Sequence, residues 1–150
     1  MLSGLSWAYR FIGVVSALAW CVSLLLPAYV VQIETTLENG FYYGYDCLLI
    51  GWFAALSGAT YGWLANPLWF WTIYRLLRGR PPTTWVALAA AALALTALLP
   101  FDAMRVDDHV NSGARPQIGA VIWASAVCAP LAGALLSLLS RIALKQSDAS

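Results

Sequence analysis

Four apolar runs without a charged residue or histidine dominate this chain: Phe11–Val31, Leu48–Tyr74, Trp85–Phe101 and Ile118–Ser140. They are 21, 27, 17 and 23 residues long. A bilayer core about 30 Å thick is crossed by about 20 helical residues at 1.5 Å each. The lengths predict four membrane-spanning helices. Composition agrees: 61% of the 150 residues are apolar, 10% are charged, and the mean hydropathy is +0.73. Ordinary soluble domains are roughly 45–50% apolar and about 25% charged. A soluble fold of this size has too little interior for so many apolar side chains. A soluble enzyme and a disordered chain are therefore excluded at this stage. A net charge of +1 offers no field for phosphates, so no nucleic-acid partner is expected.

The expected fold is all-α, a polytopic membrane four-helix bundle forming a single integral membrane domain over residues 1–150. The connections Gln32–Cys47, Arg75–Thr84 and Asp102–Gln117 leave no room for a soluble domain. The first run exceeds the usual h-region of about 7–15 residues, and Pro27-Ala28-Tyr29-Val30 is a poor cleavage site, so it reads as an uncleaved span. The third run is the shortest, but Ala87 and Ala89–Ala92 form helix readily. Pro81-Pro82 separates it from what precedes, and Thr83 or Thr84 is expected to cap it.

Lysine and arginine set the orientation. Arg10, Arg75, Arg78, Arg80, Arg141 and Lys145 fall on one side, against Arg105 and Arg115 on the other. The positive-inside rule puts both termini and the 75–84 turn in the cytoplasm of a bacterial inner membrane. Trp7, Tyr9, Trp69, Trp71, Tyr74 and Trp85 then mark the inner boundary, and Tyr42, Tyr43, Tyr45 and Trp52 the outer one, where amphipathic rings are favoured.

Lipid is as apolar as leucine, so spans associate through close packing at small residues. Gly51, Ala55, Gly58, Gly62 and Ala65 recur at steps of four and three, as do Ala126, Pro130, Gly133, Ser137 and Ser140. In the first span, Gly13, Ser16, Trp20 and Ser23 make a similar row. This alternation is a left-handed packing seam. Pro67 and Pro130 are expected to kink their spans. Gly58-x-x-x-Gly62 also fits a homodimer face. Asn66, the most polar residue in a span, is expected to bond a neighbouring helix or the carbonyl freed by Pro67, with contact to a substrate or lipid headgroup near the inner interface as the alternative.

Spans without ionisable groups argue against a pump, a proton-coupled transporter or a membrane-embedded hydrolase. No enzyme activity is expected, and no cofactor. Cys21, Cys47 and Cys128 are too far apart for a C-x-x-C pair, and the serines in the spans have no histidine base. Asp107-Asp108-His109 reads as a solvated acidic loop rather than a metal site. The arginines beside Pro81-Pro82 serve topology and attract anionic lipids.

The segment Gly44-Tyr45-Asp46-Cys47-Leu48-Leu49-Ile50-Gly51-Trp52, followed by Trp63-Leu64-Ala65-Asn66-Pro67, resembles a family of small uncharacterised bacterial four-span inner-membrane proteins. The shared pattern is Gly-x-x-x-Leu-Leu-x-Gly-Trp and then Trp-x-Ala-Asn-Pro. The resemblance implies four spans in an inner membrane and no particular activity. The expected role is a non-enzymatic structural or accessory subunit, with the lipid bilayer and another membrane-protein subunit or a second copy as partners. One alternative is an immunity protein against a pore-forming bacteriocin or secreted toxin, whose basic face Glu34, Glu38, Asp107 and Asp108 would meet. Another is a small transporter or channel with Asn66 and Pro67 at its constriction.

Overall fold

The computed structural model describes residues 2–33, 39–56, 60–99 and 111–147. The protein is mostly helical. Helix α1 covers Leu2–Leu24, α2 Gly44–Leu56, α3 Ala65–Leu77, α4 Thr84–Thr96, α5 Ile118–Cys128 and α6 Pro130–Ser147. Three short strands join them: β1 (Pro27–Ile33), β2 (Asn39–Tyr43) and β3 (Asn111–Pro116).

Four helical rods pack side by side with alternating direction. Gly13 of α1 lies against Leu76 near the end of α3, while Trp20 near the end of α1 meets Asn66 at the start of α3. Ala97, just past α4, touches Gly62 just before α3. The α5–α6 rod runs back along α1, with Ala126 beside Ser16 and Gly133 beside Leu76. The row Gly13, Ser16, Trp20 and Ser23 faces inward, as its spacing predicts.

The first apolar run does not continue as helix to Val31. Leu25 and Leu26 close α1 with turn bonds to Val22 and Ser23, and Pro27 has no N–H with which to extend the ladder. The Tyr29-Val30-Val31 run then suits a strand. β1 is the centre of an antiparallel sheet in the order β2-β1-β3, pairing Val30 with Phe41 on one side and with Arg115 on the other. This sheet corrects the all-α expectation. The three strands lie together at one end of the bundle, where their pairing satisfies backbone N–H and C=O groups. Gln117 donates its N–H to Ala28 O at 2.8 Å, and Gly44 donates to Leu26 O at 3.0 Å. Those bonds seat the sheet on the helix ends.

The second run is not one helix. It divides into α2, a 3-10 turn at Gly62–Leu64, and α3. Gly58, Thr60 and Gly62 disfavour helix in its middle. Trp63 folds back beside α2, its indole donating to Leu48 O at 2.8 Å while its ring meets Gly51. Pro67 does not kink a span. It sits in the first turn of α3, where a missing N–H breaks no helical bond. Pro130, by contrast, does interrupt the fourth run: α5 ends at Cys128 and α6 opens at Pro130. Among the described residues two helical stretches are long and apolar enough to cross a bilayer, Gly4–Leu24 and Ile118–Ala143; Thr84–Thr96 is apolar but shorter.

The turn between α3 and α4 is built on Gly79 at φ +68°. Its N–H donates to Leu76 O, and the Arg80 N–H donates to Arg75 O, the double bond of a Schellman ending. Arg75 Nε donates to Pro81 O at 2.9 Å, and Arg78 lies 4.7 Å from the centre of the Tyr74 ring. Thr83 is the N-cap of α4, through its carbonyl rather than its hydroxyl.

Small residues pack much of the inside around a few large ones, Trp20, Trp69 and Leu76 among them, and many large apolar residues face outward. Ala87, Ala90 and Ala94 of α4 are fully buried, whereas Trp85 is 80% exposed and Leu56 77%. Tyr9 and Trp69, expected at the inner boundary, are buried in the core instead.

Close approach at Gly44 gives a test of the sheet-to-helix junction. A Cβ there would press on the Ser23 carbonyl oxygen and the Leu24 backbone. Gly44→Ala should destabilise the protein by about 1–3 kcal/mol. Gly4→Ala, with nothing near its Cβ, should stabilise it by up to about 1 kcal/mol. Thermal unfolding in detergent, followed by circular dichroism, compares the two.

Candidate functional site: an apolar cavity floored by Asn66

Asn66 occupies the first turn of α3, where it faces Trp20 of α1 and Trp123 of α5. Its Oδ1 accepts from Trp20 Nε1 at 3.2 Å and from Trp123 Nε1 at 3.0 Å. An indole N–H can only donate. Two donors therefore fix which amide atom is oxygen, and the Nδ2 group must point the other way. Asn66 is 5% exposed. Its Nδ2 bonds to no described residue, yet no fully enclosed side-chain nitrogen or oxygen among the described residues lacks a partner. The amino group thus opens onto free space.

That space is a cavity of about 430 Å³ between the sheet and the rods. Trp20, Asn66 and Trp123 form its floor; Ala28, Tyr29, Val31 and Ala114 form its roof; Cys47, Ile50, Phe53 and Trp63 line its side. No described charged residue lines it. Two of its hydroxyls are already committed: Tyr29 donates to Ala97 O at 2.6 Å, and Ser23 donates to Trp20 O at 2.6 Å. Burial pushes the Tyr29 phenol above the usual tyrosine range, and the nearby Cys47 acts in the same direction. The phenol stays neutral at physiological pH.

Below the floor the polar chain continues. Trp20 stacks on Trp69 with ring centres 5.1 Å apart. Trp69 Nε1 donates to Ser16 Oγ at 2.9 Å and to Ala126 O at 3.2 Å, while the Ser16 hydroxyl donates to Ala126 O at 2.7 Å. Buried polar groups are costly unless bonded, and here each bond crosses between helices.

The other residues singled out in the sequence are dispersed. Gly51 lies against Trp63, and Gly62 against Ala97, its would-be Cβ 2.5 Å from that of Ala97. Ala55 is half-buried, and Gly58 lies outside the described residues. Ala126, Pro130 and Gly133 are buried on the inner face of α5–α6. Pro67 is exposed, so it belongs to no seam: Asn66 turns inward and its neighbour turns out. Glu34, Glu38, Asp107, Asp108 and His109 lie outside the described residues. Among the described residues, no cluster suits a metal ion. Cys21, Cys47 and Cys128 are free thiols, and Cys47 borders the cavity.

Sequence reasoning missed Trp20, Trp123 and Tyr29 as parts of a site. Trp20 carried a signal: a tryptophan in mid-span, on the same row as Ser16 and Ser23, is too deep for a boundary role. Comparison with known proteins adds no identity: no protein-family model matches the chain, and no curated protein or solved structure is significantly similar to it.

Asn66→Leu strands two indole donors and should cost about 2–4 kcal/mol. Trp123→Phe removes a single bond and should cost about 1 kcal/mol beyond its lost packing. The double variant should lose less than the sum, because the two share a bond. Unfolding in detergent, arranged as a double-mutant cycle, measures the coupling.

Proposed function

We propose that this chain is a multi-pass protein of a bacterial inner membrane, a four-helix bundle with both termini and the Arg75–Arg80 turn in the cytoplasm. It serves there as a non-enzymatic structural or accessory subunit. The observation that carries this is the inversion of side-chain size. Alanine, glycine and serine make up much of the interior, around a few large residues such as Trp20, Trp69 and Leu76, while many leucines and other large apolar residues point outward on each rod. Water would penalise that surface; lipid accepts it, and the small residues allow helices to approach closely. The two long apolar helices give α1 and α5–α6 the length to cross. In this reading α2, α3 and α4, of 13 residues each, lie between the two long rods, and α3 and α4 reach across only together with the turn residues that adjoin them.

The interior polar groups support a structural role. Ser16, Trp69, Thr72 and Asn66 all hold one helix turn or one helix to another. A proton relay would require titratable groups along the rods.

Two measurements test the proposal. In intact cells carrying an otherwise cysteine-free chain, an impermeant maleimide should label Asp107→Cys and leave Arg78→Cys unlabelled until the cells are opened. Labelling at position 78 in intact cells, or release of the chain by alkaline carbonate without detergent, overturns the membrane placement. Extraction in a mild detergent should yield a native-gel species larger than the 16.2 kDa chain with its micelle. A lone chain that turns over a substrate overturns the accessory role.

A further inference from the structure

We propose that the cavity above Asn66 binds an uncharged lipid whose leading group is a carbonyl, and that the Asn66 amino group donates to that oxygen. The proposal rests on the membrane reading above for the source of its ligand, but not for the site itself.

Size comes first. At about 430 Å³ the cavity is about three times the ~150 Å³ that encloses a benzene ring, and it lies within the ~300–1,000 Å³ of small-molecule pockets. An apolar hollow this large beside a bilayer fills with apolar material rather than water. Charge comes second. With no described charged residue in the lining, a carboxylate or phosphate would be desolvated without compensation. The occupant is therefore neutral.

The polar contact then fixes its chemistry. The two indoles hold the Asn66 oxygen, so its amino group is a donor with a set direction and no protein acceptor among the described residues. Of the other hydroxyls in the lining, those of Ser23 and Tyr29 are spent on backbone carbonyls, Thr60 Oγ1 accepts from the Gly62 N–H, and Tyr42 is exposed. A ligand that satisfies this wall must bring an acceptor to the floor and apolar bulk to the sides. An ester or quinone-type carbonyl at the head of a hydrocarbon chain does both, entering head first with the chain trailing past α2. Cys47, in the side wall, reports on occupancy.

The test uses the full chain purified in detergent, with Cys21→Ala and Cys128→Ala leaving Cys47 as the single thiol. The rate at which a neutral organomercurial reacts with Cys47 is followed against added methyl oleate, decyl-benzoquinone, 9-octadecene and sodium oleate. The carbonyl of carbon-13-labelled methyl oleate is followed by infrared spectroscopy in parallel. Methyl oleate should protect Cys47 at roughly three- to tenfold lower concentration than 9-octadecene, the worth of one hydrogen bond. Its carbonyl band should move to lower frequency on binding. Sodium oleate at alkaline pH should protect less than the ester. Stronger protection by the quinone than by the ester assigns the carbonyl to a quinone-type lipid, and the reverse order assigns it to an acyl ester. Asn66→Leu should erase the difference between ester and alkene; if that variant does not fold, the infrared shift in the parent protein decides alone. Equal protection by ester and alkene, an unshifted carbonyl, or no protection by any probe overturns the proposal. Because the assay runs in detergent, it succeeds or fails independently of how often the chain crosses a bilayer.

Discussion

The bond on which the molecule's middle depends is the paired acceptance of Trp20 and Trp123 by the Asn66 carbonyl oxygen. It joins α1, α3 and α5 at one level. In a low-dielectric interior such a bond is strong, and its loss is costly because the abandoned donors find no water. The same bond orients the amide, and so decides what the cavity offers. Packing and recognition therefore share a single side chain.

Around that point small residues and interhelical hydrogen bonds set the packing. In the membrane proposed for the chain, contact area and hydrogen bonds would hold the rods together. The buried alanines of α4 and the close pairs Gly62–Ala97 and Gly133–Leu76 supply the area. Ser16, reaching from α1 to the Ala126 carbonyl, supplies a bond between α1 and α5. The Schellman turn at Gly79 then reverses the chain in few residues, which keeps α3 and α4 adjacent.

Much of the rod packing was legible in the sequence. The row Gly13, Ser16, Trp20 and Ser23 has helical spacing and faces inward, and the alanine run of α4 forms the helix its propensity predicts. The sheet was not legible. Asn111–Pro116 reads Asn-Ser-Gly-Ala-Arg-Pro, with no β-branched residue and no alternation. It becomes a strand only because β1 offers a partner, a long-range pairing that local propensity does not encode. The break in the second apolar run was written in Gly58, Thr60 and Gly62, but hydropathy averages over such residues. The cavity escaped for the same reason as the sheet: its roof and floor come from segments far apart in the chain.

The central place of β1 carries a temporal consequence. It leaves α1 early in synthesis, yet its second neighbour, β3, lies some eighty positions later. The ribosome must deliver α2, α3 and α4 before the roof can close. Contacts of such separation are slow to form and are made late. Part of the floor, Trp123, follows β3 in the chain, so roof and floor are both completed only by the last third of the polypeptide, and whatever the cavity encloses is enclosed late.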